Sequence, residues 1–177
     1  MKNLILVLFV FISQFLFSQV TYRENDPFAK FTKQSVDIIT NADYNTLSKK
    51  LMDDINTYRV KNGLSKLTYN QSMFNYAKSH VDTLTDTKTY CHSNLNEGQY
   101  VLENINLLTT VGTFLSYDEK WLQTIPSLFM DTWKRSPGHN ANLLHSNITE
   151  VGVAITSVVY MKNGFYVHET KAVMVAR

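Results

Sequence analysis

The hydrophobic pattern changes period along this chain, and that change constrains the fold more than any single residue does. Tyr44, Leu47, Leu51, Ile55 and Tyr58 recur at steps of three and four, which predicts a helix beginning at Asp43 with one apolar face. Lys61-Asn62-Gly63 ends it, and Gly63 is suited to a left-handed cap. A second helix is expected from about Asn70, with Met73, Ala77, His80, Val81 and Leu84 on one side. A third is read over Ser127 to Arg135, stopped by Ser136-Pro137-Gly138. Ser136 followed by Pro137 is also a start signal, for a short helix through His139 to Leu144.

Near the C-terminal end the period drops to that of strands. Val151 to Val159 is rich in β-branched residues, Lys162-Asn163-Gly164 offers turn chemistry, and Phe165 to Val175 returns as a partner strand. Between the helices, Tyr90 to Leu108 reads as a loop leading into a short extended stretch. Helices first and strands last indicate an α+β arrangement rather than a doubly wound parallel sheet.

The chain opens with Met1-Lys2-Asn3 and an almost wholly apolar run from Leu4 to Phe17. That run has the length of an export signal core, ~7–15 residues, and is short for a permanent membrane span. Residues 1–18 are therefore expected to be a signal peptide, with a membrane anchor or a buried helix as the competing readings. Residues 19–42 read as a spacer with some local structure, and residues 43–177 as the folded domain. Export places the mature protein outside the cytoplasm, secreted or periplasmic. Cys91 is the only cysteine, so no internal disulfide can form and the fold must rest on its packed core. With 44% hydrophobic and 18% charged residues, such a core is within reach. The net charge of +2 comes without a basic run, which argues against a nucleic-acid partner.

A family resemblance emerges from motifs that occur in order. Ile55-Asn56-xx-Arg59-xxx-Gly63-Leu64-xx-Leu67, Tyr76-Ala77, Cys91-His92-Ser93 and Glu103-Asn104-Ile105 are followed by Trp133-xx-Ser136-Pro137-Gly138-His139-xx-Asn142-Leu143-Leu144 and Thr149-Glu150-Val151-Gly152-Val153. Together they resemble the CAP superfamily of cysteine-rich secretory, antigen 5 and pathogenesis-related proteins, and span roughly Tyr44 to Val175. The resemblance implies a three-layer α-β-α sandwich around a small, mainly antiparallel sheet. It also implies a central cleft holding two histidines and two glutamates. His92 matches the first histidine, Glu103 the acid of the family's Gly-Glu-Asn-Ile motif, and His139 the second histidine. Leu102 stands where that motif has glycine, and Ser136 where eukaryotic members carry the second glutamate. The candidate ligand cleft is thus His92, Glu103, Ser136 and His139, closer to bacterial members of the family.

Each of these residues also has a plainer role open to it. His92 either lines the cleft or is a loop histidine bonded to backbone. Glu103, within an apolar run, either serves the site or stabilises a loop by accepting backbone N–H bonds. His139 is also a residue that the Ser136-Pro137 start could simply position, and Ser136 reads as a helix N-cap more readily than as a nucleophile. Two imidazoles can hold a first-row metal such as zinc, with water completing the shell and Glu103 as third ligand or as the group orienting one imidazole. His80 is expected to be a packed core or edge histidine, and His145 and His168 surface or sheet residues. Cys91 is read as a buried free thiol, with a cleft-edge thiol or metal ligand beside His92 as the alternative, and Trp121 and Trp133 as core. Two functions follow. One is a binding module whose cleft takes a small molecule, lipid, glycan or protein. The other is a metal-dependent hydrolase using His92 and His139 for the metal and Glu103 as base.

Overall fold

In the computed structural model, residues 28–94 and 102–177 are described. The leader Leu4–Phe17 and the start of the spacer lie outside them. No described helix is long and apolar enough to cross a membrane.

Local signals account for the elements. The stretch read as a spacer contains helix α1, Ala29–Thr40. Two of its buried hydroxyls tie it to the rest of the chain: Thr32 Oγ1 accepts from the Leu115 amide (3.1 Å) and Ser35 Oγ from the Tyr117 amide (2.7 Å). Helix α2, Tyr44–Lys61, starts where Asp43 accepts the Thr46 amide (3.0 Å) and buries Leu47, Leu51 and Ile55. It ends in a Schellman turn, with Gly63 at φ 77° and the Leu64 amide reaching back to the Arg59 carbonyl (3.0 Å). Strand β1 is only Thr68–Tyr69, and Asn70 then caps helix α3, Gln71–Asp86. Strand β2 runs from Leu102 to Gly112.

Helix α4 differs from its sequence reading. It covers Glu119–Arg135, beginning well before Ser127, with Asp118 as its cap and Pro126 inside it. Leu122, Ile125, Phe129, Met130 and Trp133 form one continuous buried stripe along it. That packing outweighs an interior proline, which costs a helix ~3 kcal/mol. Helix α5, Pro137–Leu143, follows directly. Strands β3, Glu150–Lys162, and β4, Phe165–Ala176, form the expected hairpin. Asn163 and Gly164 both have positive φ (52° and 80°), as a tight hairpin turn between twisted strands requires.

The sheet order is β1-β3-β4-β2, antiparallel except for the short parallel pair of β1 with β3. Alternation along β3 and β4 assigns the two faces. Val153, Ile155, Ala172, Met174 and Ala176 join Leu47, Leu51, Ile55, Phe129 and Trp133 from α2 and α4. Ala154, Val173 and Val175 join Ile105 and Met73, Ala77, Val81 and Leu84 from α3. The result is an α-β-α sandwich, as the motifs implied. Gly152 permits a close approach of α3 to β3, since a Cβ there would collide with the Met73 and Phe74 backbone of α3.

Candidate functional site

The motif residues near the front of the chain build a frame. Asn56 makes a two-way bond with Leu67, accepting its amide (2.7 Å) and donating to its carbonyl (3.0 Å). Arg59, 1% exposed, donates to the carbonyls of Ser65, Leu143 and His145. Burial lowers the pKa of this guanidinium, but three carbonyl acceptors compensate its charge. These polar residues hold the turn after α2 and the end of α5 in one place.

The chemistry gathers at β2. Glu103 lies on that strand with its side chain only 1% exposed. Its Oε2 accepts from His92 Nδ1 (2.6 Å) and from the Ser93 amide (3.0 Å), and its Oε1 accepts the Ser93 hydroxyl (2.6 Å). His92 itself is well exposed, its side chain at 59%. With Nδ1 committed to the carboxylate, Nε2 is the nitrogen this ring can offer a ligand.

The second histidine arrives from α5. Asn104, next to Glu103, donates to the His139 carbonyl (3.0 Å). Asn142 on the same helix donates to the Glu103 carbonyl (3.2 Å) and to Asn104 Oδ1 (2.8 Å). These bonds stitch α5 to β2. Desolvation lowers the His139 pKa, and the nearby His92 pushes it the same way, so the ring favours its neutral form. His139 Nδ1 is buried without a hydrogen-bond partner among the described residues.

The remaining candidates are placed more plainly. Ser136 sits half-buried at the junction of α4 and α5, at the N-cap position, but its side chain makes no capping bond. Its carbonyl accepts the Asn140 amide (2.8 Å), the first hydrogen bond of α5. Trp133 is fully buried under β2 and directs its ring N–H at the Ile105 carbonyl (3.4 Å). Cys91 is exposed, not buried as its sequence context suggested. It lies in the loop after α3, outside the helix face that packs on the sheet. His168 is a sheet residue, 2% exposed, between the edges of Tyr117 and Trp121.

Several residues here escaped sequence reasoning. His80 Nε2 lies 3.1 Å from the Cys91 carbonyl and 3.8 Å from Glu103 Oε1, so this histidine of α3 borders the buried carboxylate. Its signal was a polar residue on an otherwise apolar helix face. Ser93, Asn104 and Asn142 stand within the motifs, but nothing in the sequence showed which groups they bond.

Glu103 is not a free third ligand for a metal, so a zinc ion here would have only the two imidazoles as protein ligands. Glu103 is already engaged by Ser93 and His92, and no group of three or more His, Cys, Asp or Glu among the described residues is arranged to hold a metal ion.

Comparison with known proteins places the chain. A Bacillus subtilis protein described as the uncharacterized membrane protein YlbC is 26% identical over 121 residues. The match takes in 67% of this chain but 34% of YlbC, so the chain spans about a third of that relative. Among solved structures, an outer surface protein of Borrelia burgdorferi matches with a TM-score of 0.49 and 15% identity, covering 77% of this chain and 96% of that one. An extracellular SCP-domain protein from Bacillus anthracis matches with a TM-score of 0.47 and 19% identity, over 72% and 40% of the two chains. The sequence model of the CAP, or cysteine-rich secretory protein, family matches residues 52–168, well over half of the chain, and the protein belongs to that family.

Proposed function

We propose that this CAP protein is an exported binding module that holds its ligand between His92 and His139, over the buried Glu103 carboxylate. The observation that carries this reading is the state of Glu103. A carboxylate that already accepts three hydrogen bonds, on a side chain 1% exposed, is badly placed to take a proton from a substrate or water. It is well placed to fix the tautomer and orientation of His92, presenting Nε2 outward. His139 supplies a second, neutral imidazole. Two such rings suit a hydroxyl, carboxylate or amide of a small molecule, lipid headgroup, glycan or protein. Export rests on the apolar run Leu4–Phe17 and places the protein in the secreted or periplasmic space. On this reading residues 1–18 are removed, and the domain at 43–177 carries the site with α1 packed against it.

NMR of the histidine side chains tests the proposal, using a panel of soluble glycan fragments, short fatty acids and blocked dipeptides. At least one class should shift the His92 and His139 ring signals together, and His92→Ala should abolish that response. Metal-dependent turnover of ester or amide substrates that Glu103→Gln eliminates would sink the proposal in favour of a hydrolase.

A further inference from the structure

The segment that carries His92 is fastened to α3 as well as to β2. After α3, Lys88 takes a positive φ of 54° and the chain turns back along the helix it has just left. Three contacts mark the return. The Thr89 amide bonds the Leu84 carbonyl (3.0 Å), the Cys91 carbonyl lies 3.1 Å from His80 Nε2, and the Asn94 carbonyl accepts the Tyr76 hydroxyl (3.2 Å). Tyr76, His80 and Leu84 follow at four-residue steps, so they form one line along α3 with a rise of ~6 Å between neighbours. Extended chain covers ~6.6 Å in two residues, the separation of Thr89 from Cys91. The other side of the segment belongs to β2. Tyr90 donates its hydroxyl to the Ile105 carbonyl (3.2 Å), and Ser93 gives its amide and hydroxyl to Glu103. Each neighbour of His92 from Thr89 to Asn94 is thus tied down, while the His92 ring itself stays exposed.

His80 is the member of this set that meets both sides. Its side chain is 13% exposed, with Nε2 beside the Cys91 carbonyl and 3.8 Å from Glu103 Oε1. A carbonyl only accepts, so His80 carries its proton on Nε2. That N–H is too far from Oε1 for a hydrogen bond, yet its partial positive charge stands beside the carboxylate. His92 holds the opposite tautomer, giving Nδ1–H to Glu103 and leaving Nε2 bare. A free imidazole favours the Nε2–H form, so this tautomer persists only while ring and carboxylate are held together.

We infer that His80 is a positioning residue for the ligand site. By holding the Cys91 carbonyl it fixes the backbone one residue before His92, so that the ring meets Glu103 through Nδ1 and keeps Nε2 for a ligand. Tyr76 supports the same segment from the Asn94 side. The inference extends the binding reading above, in which His92 Nε2 meets the ligand, and the line from Tyr76 to His80 makes α3 part of that site.

Nitrogen-15 NMR of the histidine rings at about pH 8, above the ordinary histidine value of ~6.5, reads the tautomer directly and needs no ligand. A failed ligand screen therefore leaves this result standing, and an unaltered spectrum leaves the binding reading standing. In wild type, His92 should show a protonated Nδ1 and a bare Nε2, with well-separated signals. His80→Leu keeps bulk on α3 but cannot donate, and should bring the two signals together, as in a ring exchanging between tautomers, with the His139 signals unmoved. His80→Gln, whose amide can donate to the Cys91 carbonyl, should restore most of the separation. Tyr76→Phe loses a single hydroxyl and should give a smaller convergence. A wild-type His92 spectrum in His80→Leu overturns the inference, as does equal convergence in His80→Leu and His80→Gln. If His80→Leu does not fold, Tyr76→Phe decides, and a wild-type His92 spectrum there overturns the inference.

Discussion

Replacing His168 with glutamine should remove a large part of the protein's sensitivity to mild acid. The imidazole sits on β4 at 2% exposure, with the Tyr117 and Trp121 rings edge-on at 5.1 Å and Thr170 Oγ1 3.1 Å from Nε2. Burial drives its pKa from 6.5 down to about 4, against the smaller, opposing pull of the neighbouring Glu169. For a histidine depressed in this way, the unfolded chain binds the proton more readily than the native one. The stability it contributes is therefore complete above pH 6.5 and is lost as pH falls toward 4. A tenfold change in proton affinity is worth about 1.36 kcal/mol, so the full loss amounts to roughly 3 kcal/mol. About 2 kcal/mol of it falls between pH 7 and pH 5. Urea unfolding of wild type and His168→Gln at both pH values measures this directly. The amide also alters packing, but that offset is common to both pH values and cancels in the difference. So does the effect of His139, whose depressed pKa acts in the same direction in both proteins. Wild type should lose about 2 kcal/mol more than the variant on acidification. Parallel losses in the two proteins would show that His168 is not a buried neutral imidazole.

Two further expectations concern the core. Trp133→Ala, which empties the largest fully buried side-chain position under β2, should cost about 3–5 kcal/mol in chemical denaturation, and an unchanged midpoint would contradict its placement. Gly152→Ala adds one methyl group against the α3 backbone, which cannot yield as a side chain can, and should destabilise by about 3 kcal/mol or more. A midpoint within error of wild type would show that α3 does not approach β3 so closely.

Much of the fold was legible because it rests on local physics. The stripe Leu47, Leu51, Ile55 marks α2 without reference to any other element, and Asp43 and Gly63 bound it by capping chemistry. Alternation and the Asn163-Gly164 turn likewise define the β3–β4 hairpin, because side chains two apart must share a face. Where local and tertiary terms compete, the reading faltered. Pro126 sits inside α4, whose buried stripe holds the helix through the proline, and Thr32 and Ser35 anchor α1 through hydroxyls that show no hydrophobic period.

The site divides along the same line. Motif resemblance singled out His92, Glu103 and His139, yet their separation in the chain carries no geometry. Only the β2–β4 register and the Asn104 and Asn142 bonds bring α5 to Glu103. Only the folded chain shows that Glu103 is closed off by Ser93 and His92 and that His80 borders it. A residue's own neighbours in sequence determine its backbone preference and which face it turns inward. What meets that face, and which polar atoms are left without a partner, depends on contacts between distant segments that form only when the layers pack.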